Sequence, residues 1–502
     1  MTKEYLIRQF SNFYNEVIKG KFARKSKVEE LDIEWSQYWF DGGGNTGATL
    51  HTNGVATNKL ETSGLYLVIF PDELTATYNV AGYSDIVTDR LNVNSFHPFS
   101  IFIKDGDFLR VRLTKKAGGE LLPTDDILEQ VQIILVNNLN PECDIAIAPH
   151  DALIDKKKKA NIILDGQNDT RILASLVGCY HSIKILLYDG TYNITEMWTH
   201  TSTAKISLCF NDWGFDNKIR RYITMHGESK TSPQTINAVK FVVSQTLHES
   251  LNDSGMNYFI LGTPYSTGTG EIQRMAVSCD ISNINIIGYK YDKPITYVDT
   301  TRCLSTMLES VNVRSWAEHI GDYLPFDDTP NENCCGIRAG RGSTYGIQNY
   351  VKHLNVWYCG IGVACNGEHF IFEDVKTHHN YIGFMFGDRH TVGKLEHPNI
   401  MLGCSIEGCH RLMVLTKNGI KVAQDRTSNE PISTLVVIGL STEPVWSIPT
   451  NEIEGDVTSQ ITLPIDEIVR GAWRGRIEMD WVNDNIFTQD SGTKFEKTVY
   501  HS

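Results

Sequence analysis

The chain has 502 residues, with 46 Lys plus Arg against 60 Asp plus Glu, giving a formal net charge of −14. At about 150 residues per domain, this length predicts roughly three domains and a core that needs no metal or disulfide staple. A composition of 41% hydrophobic and 21% charged residues excludes a disordered chain, a collagen or a coiled-coil rod, and the acidic balance argues against duplex nucleic acid as a partner.

Residues 3–19 read as an amphipathic helix, with Leu6, Phe10, Phe13 and Val17 on one stripe and Lys19-Gly20 as its stop. It serves either as a helix docked on its own domain or as a short coiled-coil seam between identical chains. The opening MTKEYLIRQF lacks an apolar signal core, so synthesis in a cytoplasm without the usual export signal is expected. No window approaches 18 consecutive apolar residues, so no transmembrane helix is predicted.

From 31 to 142 the pattern is all-β. Apolar runs Leu65–Phe70, Phe99–Ile103 and Phe108–Leu113 are separated by turn signals such as Asp41-Gly42-Gly43-Gly44-Asn45. This fits a β-sandwich or jelly roll, and Trp35, Tyr38, Trp39 and Phe40 serve as packing or sugar-stacking aromatics. Residues 143–159, ending in Lys156–Lys159, read as a solvated linker.

From 160 to 425 short β runs recur, with one short helix near 169–178. Leu354 to Ile361, Val375 to Ile382 and Ser405 to Leu412 have equal internal spacing, with offsets of 21 and then 30 residues. A period near 21 with insertions is the mark of a parallel β-solenoid. On this reading Val311-Asn312-Val313, 43 residues before Leu354-Asn355-Val356, lies about two coils back, and Glu407 sits level with Thr377. All eleven cysteines fall between 143 and 409 without zinc-site spacing, which suits small buried fillers of the stack. Lys417-Asn418-Gly419 reads as a hairpin turn. The region 426–502 is β-rich but irregular, and suits burial in an oligomer.

The segment Ala160-Asn161-Ile162-Ile163-Leu164-Asp165-Gly166-Gln167-Asn168-Asp169-Thr170, followed by Tyr188-Asp189-Gly190-Thr191-Tyr192-Asn193-Ile194, resembles the opening of pectate-lyase-like right-handed β-helix domains. This combination recurs in tail spikes and receptor-binding proteins of phages and prophages. The resemblance implies an all-β chain: an attachment helix (1–30), a β-sandwich, a right-handed parallel β-helix and a C-terminal trimerisation region. It further implies a homotrimer in the virion, docked on tail or baseplate proteins through its N-terminal part and binding bacterial surface polysaccharide. No nucleic acid, membrane insertion, cofactor or metal is expected.

The chemistry is less specific. Seven of the sixteen His lie between 353 and 410, among several carboxylates. A glycosidase needs two carboxylates about 5–5.5 or 6.5–9.5 Å apart, which stacked coils about 4.8 Å apart can supply. A lyase needs a base and a cation for the developing anion. Glu373, Asp374, His378 and Glu407 are the candidate catalytic residues, and Trp357, Tyr358, His379 and Arg389 the candidate substrate contacts. Pro325–Gly342 could wall a groove. The motif sets of polygalacturonases and the calcium-binding Asp cluster of pectate lyases are absent, so those mechanisms do not carry over. The alternatives are glycan binding alone, glycan cleavage by a hydrolase or lyase, and a purely structural tail role.

Overall fold

Alternation sets the strands of the central region. In Ile183–Leu187 the side chains of Ile183, Ile185 and Leu187 are buried while Lys184 is exposed. A strand with one apolar face cannot cover it alone, and stacking such strands in parallel does so. The computed structural model has this arrangement. It describes residues 145–201, 203–210, 221–231, 238–252, 255–263, 277–316, 331, 333–339, 349–365, 369–388, 399–409 and 411–417 of the centre. In the N-terminal part it describes 28–30, 35–40, 51–57, 60–70, 78–84, 97–103, 105, 109–115 and 130–136. Beyond the centre it describes 420–421, 435–438, 441–444, 469–470, 476–479 and 494–497. The helix expected over 3–19 and the Trp473 and Trp481 region lie outside these residues.

The fold is all-β, dominated by parallel sheets wound into a β-helix. Each coil carries three strands, as in Asn349–Trp357, which bends once and so serves two sheets, and Ile361–Cys365 on the third. Inward side chains form continuous ladders. On the first sheet the ladder runs Ile145, Ile185, Met225, Ile281, Leu308, Val351, Phe372, Met401. On the second it runs Tyr192, Phe241, Ile286, Val313, Val356, Thr377, Ile406. On the third, Leu208, Leu261, Val298, Ile337, Val363 and Phe384 align. The ten described cysteines are free thiols buried in this stack, as small fillers should be.

The bend between the first and second sheets is made by one left-handed residue per coil: Asn283, Ser310, His353, Asp374 and Gly403, all with φ between 49° and 59°. Beside it an asparagine ladder crosses the coils. Asn312 Nδ2 donates to Asn285 Oδ1 (2.9 Å), and Asn312 Oδ1 accepts from Asn355 Nδ2 (3.0 Å). A second left-handed bend ends the second sheet at Tyr358, His379 and Gly408.

Helix Asp169–Val177 closes the N-terminal end of the stack. Buried Asp169 accepts from Gly166 N (2.9 Å) and Asn193 N (3.0 Å), and Asn193 Nδ2 donates to Gly166 O (2.7 Å). The Asn168-Asp169-Thr170 and Asp189-Gly190-Thr191-Tyr192-Asn193 segments thus lock to one another. Leu173, Leu176 and Val177 share one core with Leu65, Leu67 and Val136. Those last three belong to a four-stranded antiparallel sheet of Val28–Glu30, Gln132–Val136, Gly64–Ile69 and Phe99–Ile103. A second four-stranded antiparallel sheet combines Trp35–Phe40, His51–Thr57, Leu109–Lys115 and Tyr78–Ser84.

Four sequence expectations change. Ile145–Ala148, placed in a linker, pairs in parallel with Ile183–Leu187 and already belongs to the β-helix. The lysine run forms helix Ile154–Lys159, its cations in the last turn where the helix dipole favours them. Asn312 pairs directly with Asn355, so those 43 residues make one coil and not two; the extra length lies on either side of Cys335–Ala339. The parallel register also continues past 425 into Leu435–Ile438 and Ser441–Pro444. Around the expected hairpin, Lys417 pairs with Ile420 and Thr416 with Lys421 in antiparallel register, while Asn418 and Gly419 lie outside the described residues.

Candidate active site

The second offset is 29 residues, not 30: Thr377 pairs with Ile406, and His378 with Glu407. A one-residue slip exchanges the faces of a strand. The expected register would set Glu407 level with buried Thr377; the observed one turns it outward beside His378. Four successive coils therefore present Arg314, Trp357, His378 and Glu407 in one outward row.

Within this row His378 Nδ1 lies 3.0 Å from Glu407 Oε2, with the two side chains 12% and 34% exposed. A carboxylate only accepts, so Nδ1 carries the proton and Nε2 holds the lone pair of the neutral ring. Nε2 has no protein partner among the described residues. Burial lowers the His378 pKa below that of a free histidine, against the opposing pull of Glu407, and Lys376 lowers it further. The Ser405 hydroxyl donates to Glu407 Oε1 and fixes the carboxylate from the other side. Trp357, half-buried, lies with its ring centroid 5.1 Å from that of His378. The Arg314 guanidinium lies 6.0 Å from the Trp357 ring centre and 5.5 Å from that of Tyr358.

Tyr358 and His379 occupy the adjoining left-handed bend and stack on one another, centroids 5.9 Å apart and planes 19° apart. Tyr358 was expected to contact substrate, but it is only 2% exposed and belongs to the core. The bend turns its ring inward, where it supports the exposed row from below. Arg389 lies outside the described residues.

Glu373 and Asp374 do not join this row. They stand four to five residues earlier on the same strand, about 13–17 Å away at 3.3 Å per residue, on the first sheet and at its bend. Glu373 accepts from the Tyr350 hydroxyl. Asp374 Oδ2 lies 3.0 Å from His353 Nδ1 and its Oδ1 3.7 Å from Lys376 Nζ. The first sheet carries a second outward row of His226, Ser282, Glu309, Lys352 and Glu373, beside Asp280. Burial raises the Asp280 pKa, His226 opposes and Glu309 adds to the rise. Lys352 Nζ sits 3.1 Å from Glu309 Oε2. Sequence reasoning missed Asp280, Glu309 and Arg314, because intervals of 27 and 43 residues separate them from the regular repeat. Among the described residues, no group of three or more His, Cys, Asp or Glu is arranged to hold a metal ion.

No protein-family model matches the chain, and no curated protein does. Among solved structures, it is similar to the catalytic domain of a GH87 α-1,3-glucanase variant in complex with nigerose. That match has 10% identity and a TM-score of 0.27, covering 90% of this chain and 88% of that one. A second variant in complex with tetrasaccharides gives 10% identity and a TM-score of 0.25 over the same shares. The chemistry of the site therefore has to come from its own residues.

Proposed function

We propose that this chain binds and cleaves bacterial surface polysaccharide along the outer face of its β-helix. The observation that carries the reading is the row Trp357, His378, Glu407. It combines an aromatic face for a sugar ring with a histidine whose Nδ1 faces Glu407, leaving Nε2 without a protein partner among the described residues. A glycan that only has to be held needs no such base. A long solenoid face also suits a repeating polymer, which can engage several coils at once.

The wider setting follows from the sequence resemblance to phage tail proteins. In it the chain is a homotrimeric tail spike of the virion, with an N-terminal attachment helix and β-sandwich that dock on tail or baseplate proteins. Light scattering tests the trimer: a particle of three times 56.6 kDa supports it, and one of 56.6 kDa refutes it. Cleavage is tested by incubating the full chain with purified capsular and wall polysaccharides and measuring new reducing ends. Binding without reducing ends would reduce the protein to an adhesin, and neither binding nor cleavage would leave a structural tail component.

A further inference from the structure

We propose that the protein binds a small monocarboxylate with an apolar body of about six carbons, in a cavity between helix Gln245–Ser250 and the third sheet. This goes beyond the polysaccharide reading and does not depend on it. Val242 pairs with Ile287 and Ile287 with Arg314, so the helix that follows Val239–Val243 leaves the stack two coils before the row of Arg314, Trp357, His378 and Glu407. The two sites share no residue.

The volume of the cavity, about 130 Å³, sets the size of its guest. Pockets for drug-sized molecules run to about 300–1,000 Å³, whereas an apolar cavity of about 150 Å³ holds one benzene ring. The interior is apolar. At the end of the second sheet Ser244 Oγ accepts from Leu247 N (3.2 Å) and starts the helix. Leu247 and, one turn on, Leu251 then face the core beside Tyr258, and all three are buried. Met197 and Met256, half-buried, complete the walls. Their unbranched, polarizable thioethers adapt to the shape of a guest.

The charge of the guest follows from the polar atoms at the rim. The Tyr258 hydroxyl donates to Asn252 O (2.7 Å) and accepts from Asn252 N (3.1 Å). Ser250 Oγ donates to Leu247 O (2.7 Å), and Leu251 N to His248 O (3.2 Å). Of the nearby acids, Glu196 is bound to Arg171 (2.8 Å) and Glu249 accepts from Gln245 (2.7 Å). Lys205 is the exception. It lines the cavity, half-buried, opposite Tyr258 in the parallel pairing of Ala204–Cys209 with Asn257–Gly262. Among the described residues its ammonium has neither a hydrogen bond nor an ion pair. A charge withdrawn from water needs a partner. A single ammonium suits a monoanion, whereas phosphate recognition favours forked or multiple donors. A carboxylate on Lys205, with its hydrocarbon body between Met197 and Met256, satisfies the charge and fills the apolar space together.

The test uses the full chain with isotope-labelled methionine methyl groups, titrated with hexanoate, hexanol and hexylamine and read by nuclear magnetic resonance. Met197→Leu and Met256→Leu assign the two signals. The expected result is that hexanoate shifts both methyls saturably and leaves that of Met401, deep in the stack, in place. Hexanol should bind about 10–100-fold more weakly, the usual worth of a hydrogen bond to a charged group. Lys205→Gln should weaken hexanoate by the same factor and leave hexanol unchanged. No saturable shift at either methyl overturns the site. Hexanol or hexylamine binding as tightly as hexanoate overturns the choice of a carboxylate. An unchanged hexanoate affinity in Lys205→Gln overturns the part given to Lys205.

Discussion

His378 and Glu407 are 29 residues apart in sequence and meet at 3.0 Å, because they hold the same position on adjacent coils. The parallel register of the two coils sets the spacing of the two backbones, as it does along the core ladders.

This contact, with burial, sets a pH dependence. The imidazole must be neutral to act as a base, and burial lowers its pKa below the free value of 6.5. Cleavage should therefore be half-maximal below pH 6.5 and stay high through neutrality. Glu407 raises that pKa, so Glu407→Gln should move the acid limb further down while lowering the maximal rate. A loss of rate with an unmoved limb would mark Glu407 as merely structural and not as a positioning residue.

Trp357 should act on binding more than on chemistry. Its indole is the larger of the two aromatic rings in the row of Arg314, Trp357, His378 and Glu407. Trp357→Ala should raise KM by about tenfold, since a stacking contact is worth roughly 1–3 kcal/mol, with kcat little changed. Initial rates across a range of polymer concentrations give the split.

The asparagine ladder predicts a stability effect away from the chemistry. Asn312 donates to Asn285 and accepts from Asn355 N (3.2 Å) and Nδ2, and it also donates to Thr231 Oγ1 (3.1 Å). Asn312→Ala leaves these groups unpaired at a bend, at a cost of about 1–3 kcal/mol. A lower denaturant midpoint with an unchanged slope checks it.

His97 predicts acid sensitivity. It is buried, accepts from Cys209 N (3.0 Å), and its pKa is pushed down to about 4, mainly by burial. A histidine kept neutral in the fold contributes fully above its unfolded pKa of 6.5 and loses that contribution as pH falls towards about 4. The span corresponds to about 3 kcal/mol. Chemical denaturation at pH 7 and pH 4 should show that loss. The His97→Asn variant should start lower and lose that part of the slope.

The fold was more legible than the site. Leu354 and Val375 fall on a regular 21-residue coil, and Asn168-Asp169-Thr170 and Asp189-Gly190 are local motifs whose hydrogen bonds close within 27 residues. His378, Glu407 and Trp357 could be named because they lie on or next to that regular stretch. Their pairing could not, since a single residue of insertion length decides whether Glu407 faces in or out. Arg314 was hidden by the 43-residue coil that follows it, and Tyr358 by a left-handed bend that composition does not announce. Glu373 and Asp374 were grouped with His378 by sequence proximity, whereas the bend at Asp374 puts them at and beyond the corner.

The most direct test is the mass of purified bacterial capsular and wall polysaccharides, measured by light scattering before and after incubation with the wild-type chain and with His378→Gln. The account predicts a steep fall in polymer mass with the wild-type chain and almost none with the variant. An unchanged mass with both, or an equal fall with both, would contradict it.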